Sequence, residues 1–223
     1  MSLFARLQDT AAPIRERIFA HPFVRGLGDG TLPGDQYQYY LRQDYMFLIE
    51  YCRVLALASA RAADLAVAGR FSDLLNQTLN VEMDLHRETC WACGISPEAL
   101  EDTRPAPTTL AYTNHLRLVA ETSALPAIVA AILPCAHGYW EIATALRARG
   151  LPRVPAYENW IKVYTADEYA AAARWLADLL DRLDEDTRPA GDGDDALRDV
   201  FLTSTRYEYL FFDMAQRMEE WPV

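Results

Sequence analysis

A cysteine inside an apolar helical pattern offers the clearest chemistry in this sequence. Cys135 follows Pro134, whose missing backbone N–H should bend the helix and free the carbonyl of Ala130. Tyr139 lies four residues after Cys135 and therefore on the same helical face. A thiol beside a phenol suits nucleophilic attack on a flat ring. Because most buried cysteines only pack, an inert Cys135 stays open on spacing alone.

Asp44 is an acidic residue within an aromatic stretch, with Phe47 three positions later on the same helical face. A buried carboxylate is costly unless a positive or hydrogen-bonding group meets it. Two interpretations therefore stand side by side. Asp44 is either a structural carboxylate paired with Arg42 or Arg53, or a group that binds a ligand.

Glu208 also has aromatic neighbours, since it stands between Tyr207 and Tyr209 and precedes Phe211. Desolvation raises the pKa of a carboxyl group and makes it an acid near neutral pH. We interpret Glu208 as a candidate proton donor to a ring nitrogen. The alternative is a glutamate near the end of the chain that faces water, which the apolar neighbours disfavour.

Glu82 and His86, at positions i and i+4 of a helix, could chelate a metal. Further carboxylates that could complete a di-iron site are Glu50, Glu141 and Glu208. Di-iron bundles usually repeat Glu-x-x-His on two helices, and neither His115 nor His137 has an acidic residue three positions earlier. We therefore favour a buried hydrogen bond between Glu82 and His86 over a metal site.

The composition limits the class of protein. Asp and Glu outnumber Lys and Arg by 32 to 21, for a net charge of −11. Without a basic run, nucleic acids and anionic membranes are poor partners. The sequence has no leader-like N-terminus and no expected membrane span, which predicts a cytoplasmic protein. The one close cysteine pair, Cys90 and Cys93, precedes Gly94 at a helix end and is interpreted as structural.

The elements that must position these residues are helices. The periodicity predicts helices over roughly 2–20, 35–68, 71–93, 108–122, 126–150, 167–184 and 195–220, with a short aromatic segment at 157–164. The glycine-rich stretch 23–34 lacks the Lys-Ser/Thr of a phosphate-binding loop and is predicted to be a loop, as is the polar run 188–195. The sequence therefore predicts one all-α domain over 1–223, a bundle of seven or eight helices.

Taken together, four motifs in order resemble the TenA (thiaminase II) family over essentially the whole chain. They are Tyr40-x-x-Gln43-Asp44-Tyr45, Glu82-x-x-x-His86, Leu-Pro-Cys135 with Tyr139 and Glu141, and Glu208 before Phe211-Phe212-Asp213. The resemblance implies a heme-oxygenase-like fold, a homotetramer, and no heme, metal or other cofactor. It also implies a small-molecule partner, an aminomethyl-pyrimidine hydrolysed to hydroxymethyl-pyrimidine in thiamin salvage, or thiamin itself.

The resemblance further implies a role for each matching residue. Cys135 matches the nucleophile, and its retention indicates the cysteine-containing branch. Glu208 matches the glutamate that protonates a ring nitrogen, and Asp44 matches the aspartate that holds the amino side of the pyrimidine. The pocket tyrosines are matched by Tyr112, Tyr139 and Tyr164. Phe47 replaces a tyrosine of many members, so it keeps a stacking surface and loses a hydroxyl.

Two other classes of function remain open from the sequence. One is a di-iron oxygenase or cofactor-synthesis enzyme of the same fold, suggested by Glu82 and His86. The other is a non-catalytic regulatory protein that binds a ligand, although the acidic charge and the absence of a helix-turn-helix signature disfavour direct DNA binding.

Overall fold

In a computed structural model, the chain folds into helices joined by short connections. The structure describes the backbone of residues 1–187 and 193–223 and the side chains of 1–184 and 195–223. Its helices are α1 (Leu3–Phe19), α2 (Pro22–Asp29), α3 (Gly34–Arg61), α4 (Leu65–Gln77), α5 (Met83–Ala92), α6 (Pro97–Glu101), α7 (Pro107–Thr122), α8 (Leu125–Ala148), α9 (Pro155–Tyr164), α10 (Asp167–Thr187) and α11 (Gly193–Arg217). A π-helical turn, Thr78–Glu82, joins α4 to α5. The described residues contain no strand, which confirms the all-α prediction.

The prediction of a loop over 23–34 is wrong for most of that stretch, because α2 occupies its first part. His21 caps this helix by accepting a hydrogen bond from the Phe23 amide, and Pro22 stands in its first turn. Gly30 ends it with a left-handed φ of 75°. The proline and glycine therefore mark the two ends of a short helix. The polar run predicted at 188–195 lies mostly outside the described residues.

The boundary predicted between two long helices is also wrong. The chain leaves α3 at Ala62, and the Asp64 side chain caps α4 by accepting from the amides of Ala66 and Val67. Gly69, expected just before a helix, lies inside α4. The predicted helix over 71–93 is really α4, the π turn and α5. The Asp64 cap, and not Gly69, therefore determines where α4 begins.

Helix α8 lies at the centre of the bundle and packs against α2, α3, α7, α9, α10 and α11. Residues 128–134 are all buried, and each large apolar side chain among them contributes about 1.5–3 kcal/mol by leaving water. Of the described helices, only α8 is long and apolar enough to cross a membrane, which the sequence analysis did not anticipate. Most of its apolar window is buried within the protein, as in a core helix. The helix continues through Pro134, and the bend predicted there stays a prediction.

Two glycine substitutions test this account of the helix ends. Gly94, after α5, has a φ of +84° that an alanine adopts only with strain, so Gly94→Ala should lower the free energy of unfolding by about 1 kcal/mol. Gly69→Ala should raise it by about 0.5–1 kcal/mol, because Gly69 is inside α4 and its added Cβ would meet nothing within 4 Å. Urea titration followed by circular dichroism measures both. Equal effects of the two substitutions would contradict the assigned boundaries.

Candidate active site

A cavity of about 500 Å³ opens between α3, the π turn, α5, α8, α9 and α10. Its walls are mainly aromatic and aliphatic, with a few carboxyl groups and one thiol. The rings and reactive groups that line it include Tyr40, Asp44, Phe47, Tyr51, Glu82, His86, Cys135, Tyr139, Trp160, Tyr164 and Tyr169. This volume falls within the usual range for small-molecule sites.

Five of the seven residues predicted for a site line this cavity. They are Asp44, Phe47, Cys135, Tyr139 and Tyr164. The other two, Tyr112 and Glu208, do not line it and are 1% and 4% exposed. The Tyr112 hydroxyl donates a 2.5 Å hydrogen bond to Glu208. The Phe47 ring lies 5.2 Å from the Tyr112 ring, centroid to centroid, so Phe47 links the cavity wall to this buried pair.

Cys135 and Tyr139 face the same cavity from α8, as their spacing predicts. The Tyr139 ring packs against Tyr164 with centroids 4.9 Å apart, and against Trp160 at 5.6 Å. Its hydroxyl accepts a 3.4 Å hydrogen bond from Tyr40, whose oxygen in turn accepts from the indole N–H of Trp160 at 3.2 Å. These contacts fix the orientation of the rings before any ligand binds.

Burial dominates the electrostatics of the reactive groups. It raises the pKa of the Cys135 thiol well above its usual value, and the nearby carboxyl groups of Glu208, Asp44 and Glu82 raise it further. Burial also raises the pKa of Glu208 to about 7, against the hydrogen bond from Tyr112, which lowers it. Near neutral pH, the free protein therefore holds Cys135 as a thiol and part of the Glu208 population as the neutral acid.

Asp44 faces His86 rather than an arginine. Its Oδ2 lies 3.6 Å from the His86 Nδ1, which is too long for a hydrogen bond. The His86 Nε2 is 2.7 Å from the Leu41 carbonyl, so this nitrogen must carry the proton and donate it. Burial lowers the pKa of His86 and, with Glu82 and Glu208, raises that of Asp44. The interpretation that pairs Asp44 with Arg42 or Arg53 is therefore wrong, since its neighbour is the His86 imidazole.

The predicted hydrogen bond between Glu82 and His86 is also wrong, since the His86 Nε2 bonds the Leu41 carbonyl and its Nδ1 lies beside the Asp44 carboxyl, 3.6 Å from Oδ2. Burial raises the pKa of Glu82 to about 7, and the hydroxyl of Thr78, which donates to it, works against this rise. Thr78 and Glu82 both belong to the π turn. A π turn cannot be read from a helical pattern, which explains the error.

The carboxylates considered for a di-iron site are dispersed. Within the described part of the chain, no three His, Cys, Asp or Glu side chains are grouped so that they could hold a metal ion. Glu50 forms ion pairs with Arg53 and Arg117. Glu141 lies 2.7 Å from Arg15 and 3.4 Å from His137. This donor set does not fit a bridged metal pair.

Two other sequence motifs lie away from the cavity. His137 packs against Phe4 and Trp140 on another face of α8, away from the face that carries the Cys135 thiol. Cys90 and Cys93 end α5, where the Cys93 carbonyl accepts a 2.6 Å hydrogen bond from Gln38. Burial raises the pKa of both thiols, as in structural cysteines.

Some lining residues were missed by the sequence analysis. Tyr51 lies one helical turn after Phe47, and their rings stack 5.8 Å apart, so helical spacing could have indicated it. Trp160 and Tyr169 carry no such signal. Their faces of α9 and α10 are set by packing against α8, which local sequence does not specify.

Comparison with known proteins supports a single family. The TENA/THI-4/PQQC family matches residues 8–218 of the chain. An aminopyrimidine aminohydrolase of Halalkalibacterium halodurans is 43% identical, covering 99% of this chain and 98% of that protein. A crystal structure described as a TenA family transcription regulator from a Silicibacter species superimposes with a TM-score of 0.90 and 34% identity, covering 96% of each chain.

The fold class is shared more widely. A domain with a heme oxygenase-like fold from Shewanella denitrificans superimposes with a TM-score of 0.73, covering 96% of this chain and 92% of that domain. Since the identity is 15%, this likeness shows the fold alone. It confirms the heme-oxygenase-like helical bundle predicted from the sequence.

The raised pKa of Glu208 makes a prediction about stability. Because folding raises this pKa from 4.5 to about 7, the folded state binds the proton more tightly, and the free energy of unfolding falls as pH rises through this interval. Glu208→Gln cannot ionise. It should therefore be more stable than the wild type by about 1–3 kcal/mol at pH 8 and nearly equal to it at pH 5, as measured by urea titration.

Glu141 supplies a control of opposite sign. Burial works to raise the pKa of this carboxyl, but His137 and Arg15 outweigh burial and lower it. Glu141→Gln should consequently lose stability at pH 8 and less of it in acid, where the wild-type carboxylate becomes protonated. A Glu208→Gln variant that is less stable than the wild type at pH 8 would refute the assigned burial of the charge.

Proposed function

Because this chain belongs to the TENA/THI-4/PQQC family, we propose that it hydrolyses 4-amino-5-aminomethyl-2-methylpyrimidine to the 5-hydroxymethyl pyrimidine and ammonia. The enzyme class is aminopyrimidine aminohydrolase, a hydrolase of C–N bonds, and thiamin is a second substrate of the same site. The observation that carries this proposal is a thiol, Cys135, at the wall of an aromatic cavity and within the electrostatic influence of two carboxyl groups, Glu82 and Glu208, whose pKa values burial raises to about 7.

The cavity suits a flat and weakly polar heterocycle. Its volume of about 500 Å³ accommodates a substituted pyrimidine, and leaves room for a larger leaving group such as a thiazole. The rings of Phe47 and Tyr139 offer faces on which a pyrimidine can stack. Asp44, protonated or ionised, can hydrogen-bond the amino side of the ring.

The first chemical step is addition of the Cys135 sulfur to a ring carbon. An amine is a poor leaving group from an intact aromatic ring, so the ring must first become an electron source. The sulfur forms a bond to carbon, Glu208 gives its proton to a ring nitrogen, and the proton that the thiol loses returns Glu208 to its acid form. Thiol addition across the ring creates no net charge, which suits a buried site where the thiolate is disfavoured.

The ring electrons then expel the amine and leave an exocyclic methylene on the adduct. Water adds to that carbon and gives a proton to the departed amine, so a C–O bond replaces the C–N bond. Departure of the sulfur restores the aromatic ring, and the proton of the ring nitrogen passes through Glu208 back to the sulfur. The proton on Glu208 is thus recycled in each turnover, and water and the amine account for all atoms exchanged.

The proposed proton transfer requires direct contact between the ring nitrogen and the Glu208 carboxyl, which is buried beside the cavity wall that includes Phe47 and Cys135. The charge of Glu208 raises the pKa of both Cys135 and Tyr51, so these lining groups lie within its electrostatic reach. Tyr112 fixes the carboxyl by its hydrogen bond. A substrate ring seated against Cys135 therefore approaches the acid from the cavity side. Phe47 contributes only its ring to this seat, without the hydroxyl of a tyrosine.

A regulatory role is the second candidate, because one similar protein is described as a transcription regulator. The two functions separate in one experiment. A ligand-binding regulator would bind the hydroxymethyl pyrimidine and release no ammonia from the aminomethyl compound. A cytoplasmic location and a homotetramer, both expected from the sequence, stay predictions that fractionation and light scattering would test.

The proposed nucleophile can be tested by Cys135→Ser. Ammonia release from the aminomethyl pyrimidine should fall by about a hundredfold or more, while the dissociation constant of the hydroxymethyl pyrimidine, measured by calorimetry, should change by less than about threefold. Cys93→Ser is the matched control, since Cys93 lies outside the cavity, and should keep full turnover. Full turnover by Cys135→Ser would refute the mechanism.

The same measurements on the wild type test the proposed substrate. If the wild type binds the hydroxymethyl pyrimidine but releases no ammonia from the aminomethyl compound, the substrate is another aminopyrimidine. If it neither binds the pyrimidine nor releases ammonia, the pyrimidine proposal is wrong.

The role of Tyr112 can be tested by measuring how kcat/KM depends on pH. The acid form of Glu208 is active, so kcat/KM should fall as pH rises through its pKa of about 7. Tyr112→Phe removes a hydrogen bond that stabilises the ionised form, so this limb should move to higher pH by about one unit. Tyr207→Phe, whose ring stacks on Tyr112, is the control and should leave the limb in place. An unshifted profile in Tyr112→Phe would mean that a group other than Glu208 causes the fall in kcat/KM.

A further inference from the structure

The π turn at Thr78–Glu82 places a carboxyl group on the cavity wall that the mechanism above does not use. A π turn adds a residue to one helical turn, and such turns are frequent at functional sites because they redirect a side chain. Thr78 is buried and lines the cavity together with Glu82. The Thr78 hydroxyl donates to the Glu82 carboxyl, so a side chain of the same π turn holds this group in place.

Glu82 lies near the reactive centre. Its charge raises the pKa of Cys135, Asp44 and Tyr164, which all line the same cavity. Within the described residues, no lysine or arginine lines the cavity, and its one basic group, His86, is kept neutral by burial. A carboxylate here is therefore matched by no protein cation. Its natural counterpart is a cation that arrives with the ligand.

Aromatic rings around Glu82 favour the same kind of ligand. Tyr51 and Tyr169 line the same cavity as Glu82, whose charge raises the pKa of both hydroxyls. Tyr164 and Tyr169 meet edge to face with centroids 5.0 Å apart. Ring faces attract cations through their quadrupoles, and a carboxylate among them adds full charge. This arrangement suits an ammonium or another organic cation.

We propose that Glu82 binds the positively charged group that leaves the pyrimidine, an ammonium in the aminomethyl substrate and the thiazolium in thiamin. This inference rests on the proposed function and assigns a residue to the leaving-group side of its site. Cys135 and Glu208 act on the ring, and Glu82 acts on the substituent. Each leaving group is cationic when bound, and departs neutral with the electron pair of the broken C–N bond.

The direction in which positive charge moves as the C–N bond breaks determines whether loss of Glu82 changes KM or kcat. As the C–N bond breaks, positive charge leaves the nitrogen and moves to the protonated ring. A carboxylate beside that nitrogen therefore stabilises the bound substrate at least as much as the transition state. Loss of Glu82 should consequently weaken binding of the cation more than it slows the chemical step.

The test compares Glu82→Gln with Glu88→Gln, which removes an exposed carboxylate from α5 outside the cavity. Glu82→Gln should raise KM for the aminomethyl pyrimidine by about tenfold and change kcat by less than about threefold, while Glu88→Gln should change neither. In a Cys135→Ser background, calorimetry should show the same loss for the aminomethyl pyrimidine. It should show unchanged binding of the neutral hydroxymethyl pyrimidine.

The outcomes separate this inference from the proposed function. An unchanged KM, or an equal loss for the cationic and neutral pyrimidines, would overturn the role of Glu82 while leaving the hydrolase intact. Absence of ammonia release by the wild type would overturn the hydrolase, and the calorimetric comparison would still decide Glu82. If Glu82→Gln does not fold, Glu82→Asp keeps the charge at a greater distance and should weaken binding of the cationic ligand alone.

Discussion

Burial of acidic groups that face no lysine or arginine among the described residues is the constraint on which this site depends. Asp44, Glu82 and Glu208 all have raised pKa values because folding removes them from water. An ionised carboxylate there is unfavourable, so each group holds its proton at a higher pH than it would in solvent. The same surroundings keep Cys135 as a thiol. The protein therefore holds proton-bearing carboxyl groups close to a thiol, which is the arrangement that the proposed addition to a neutral ring requires.

The aromatic walls make this arrangement stable as well as specific. Phe47, Tyr139 and Trp160, from α3, α8 and α9, line the same cavity as the carboxyl groups of Asp44 and Glu82. Buried hydroxyls are satisfied by each other, as in the chain from Trp160 through Tyr40 to Tyr139. A wall of this kind supplies both the seat for a flat ligand and the low polarity that tunes its acids.

Much of the structure was predictable where a single element carried the signal. The periodicity gave the helical class, and the spacing of Cys135 and Tyr139 placed both in one cavity. The errors arose where a cap or a distant contact decided the outcome. Asp64 moved a helix start that Gly69 suggested, and the π turn gave Glu82 the partner Thr78 in place of His86. The pairing of Tyr112 with Glu208 joins α7 to α11, which no local pattern specifies.

The hydrogen bonds of the site connect parts of the chain that are far apart in sequence. Tyr40 and Tyr139 are separated by 99 positions, Trp160 and Tyr40 by 120, and Tyr112 and Glu208 by 96. Local helices can form early, but closing loops of this length costs chain entropy before the contacts are gained. The cavity is therefore a late product of folding. Recovery of ligand binding after dilution from urea should therefore lag behind recovery of helical content.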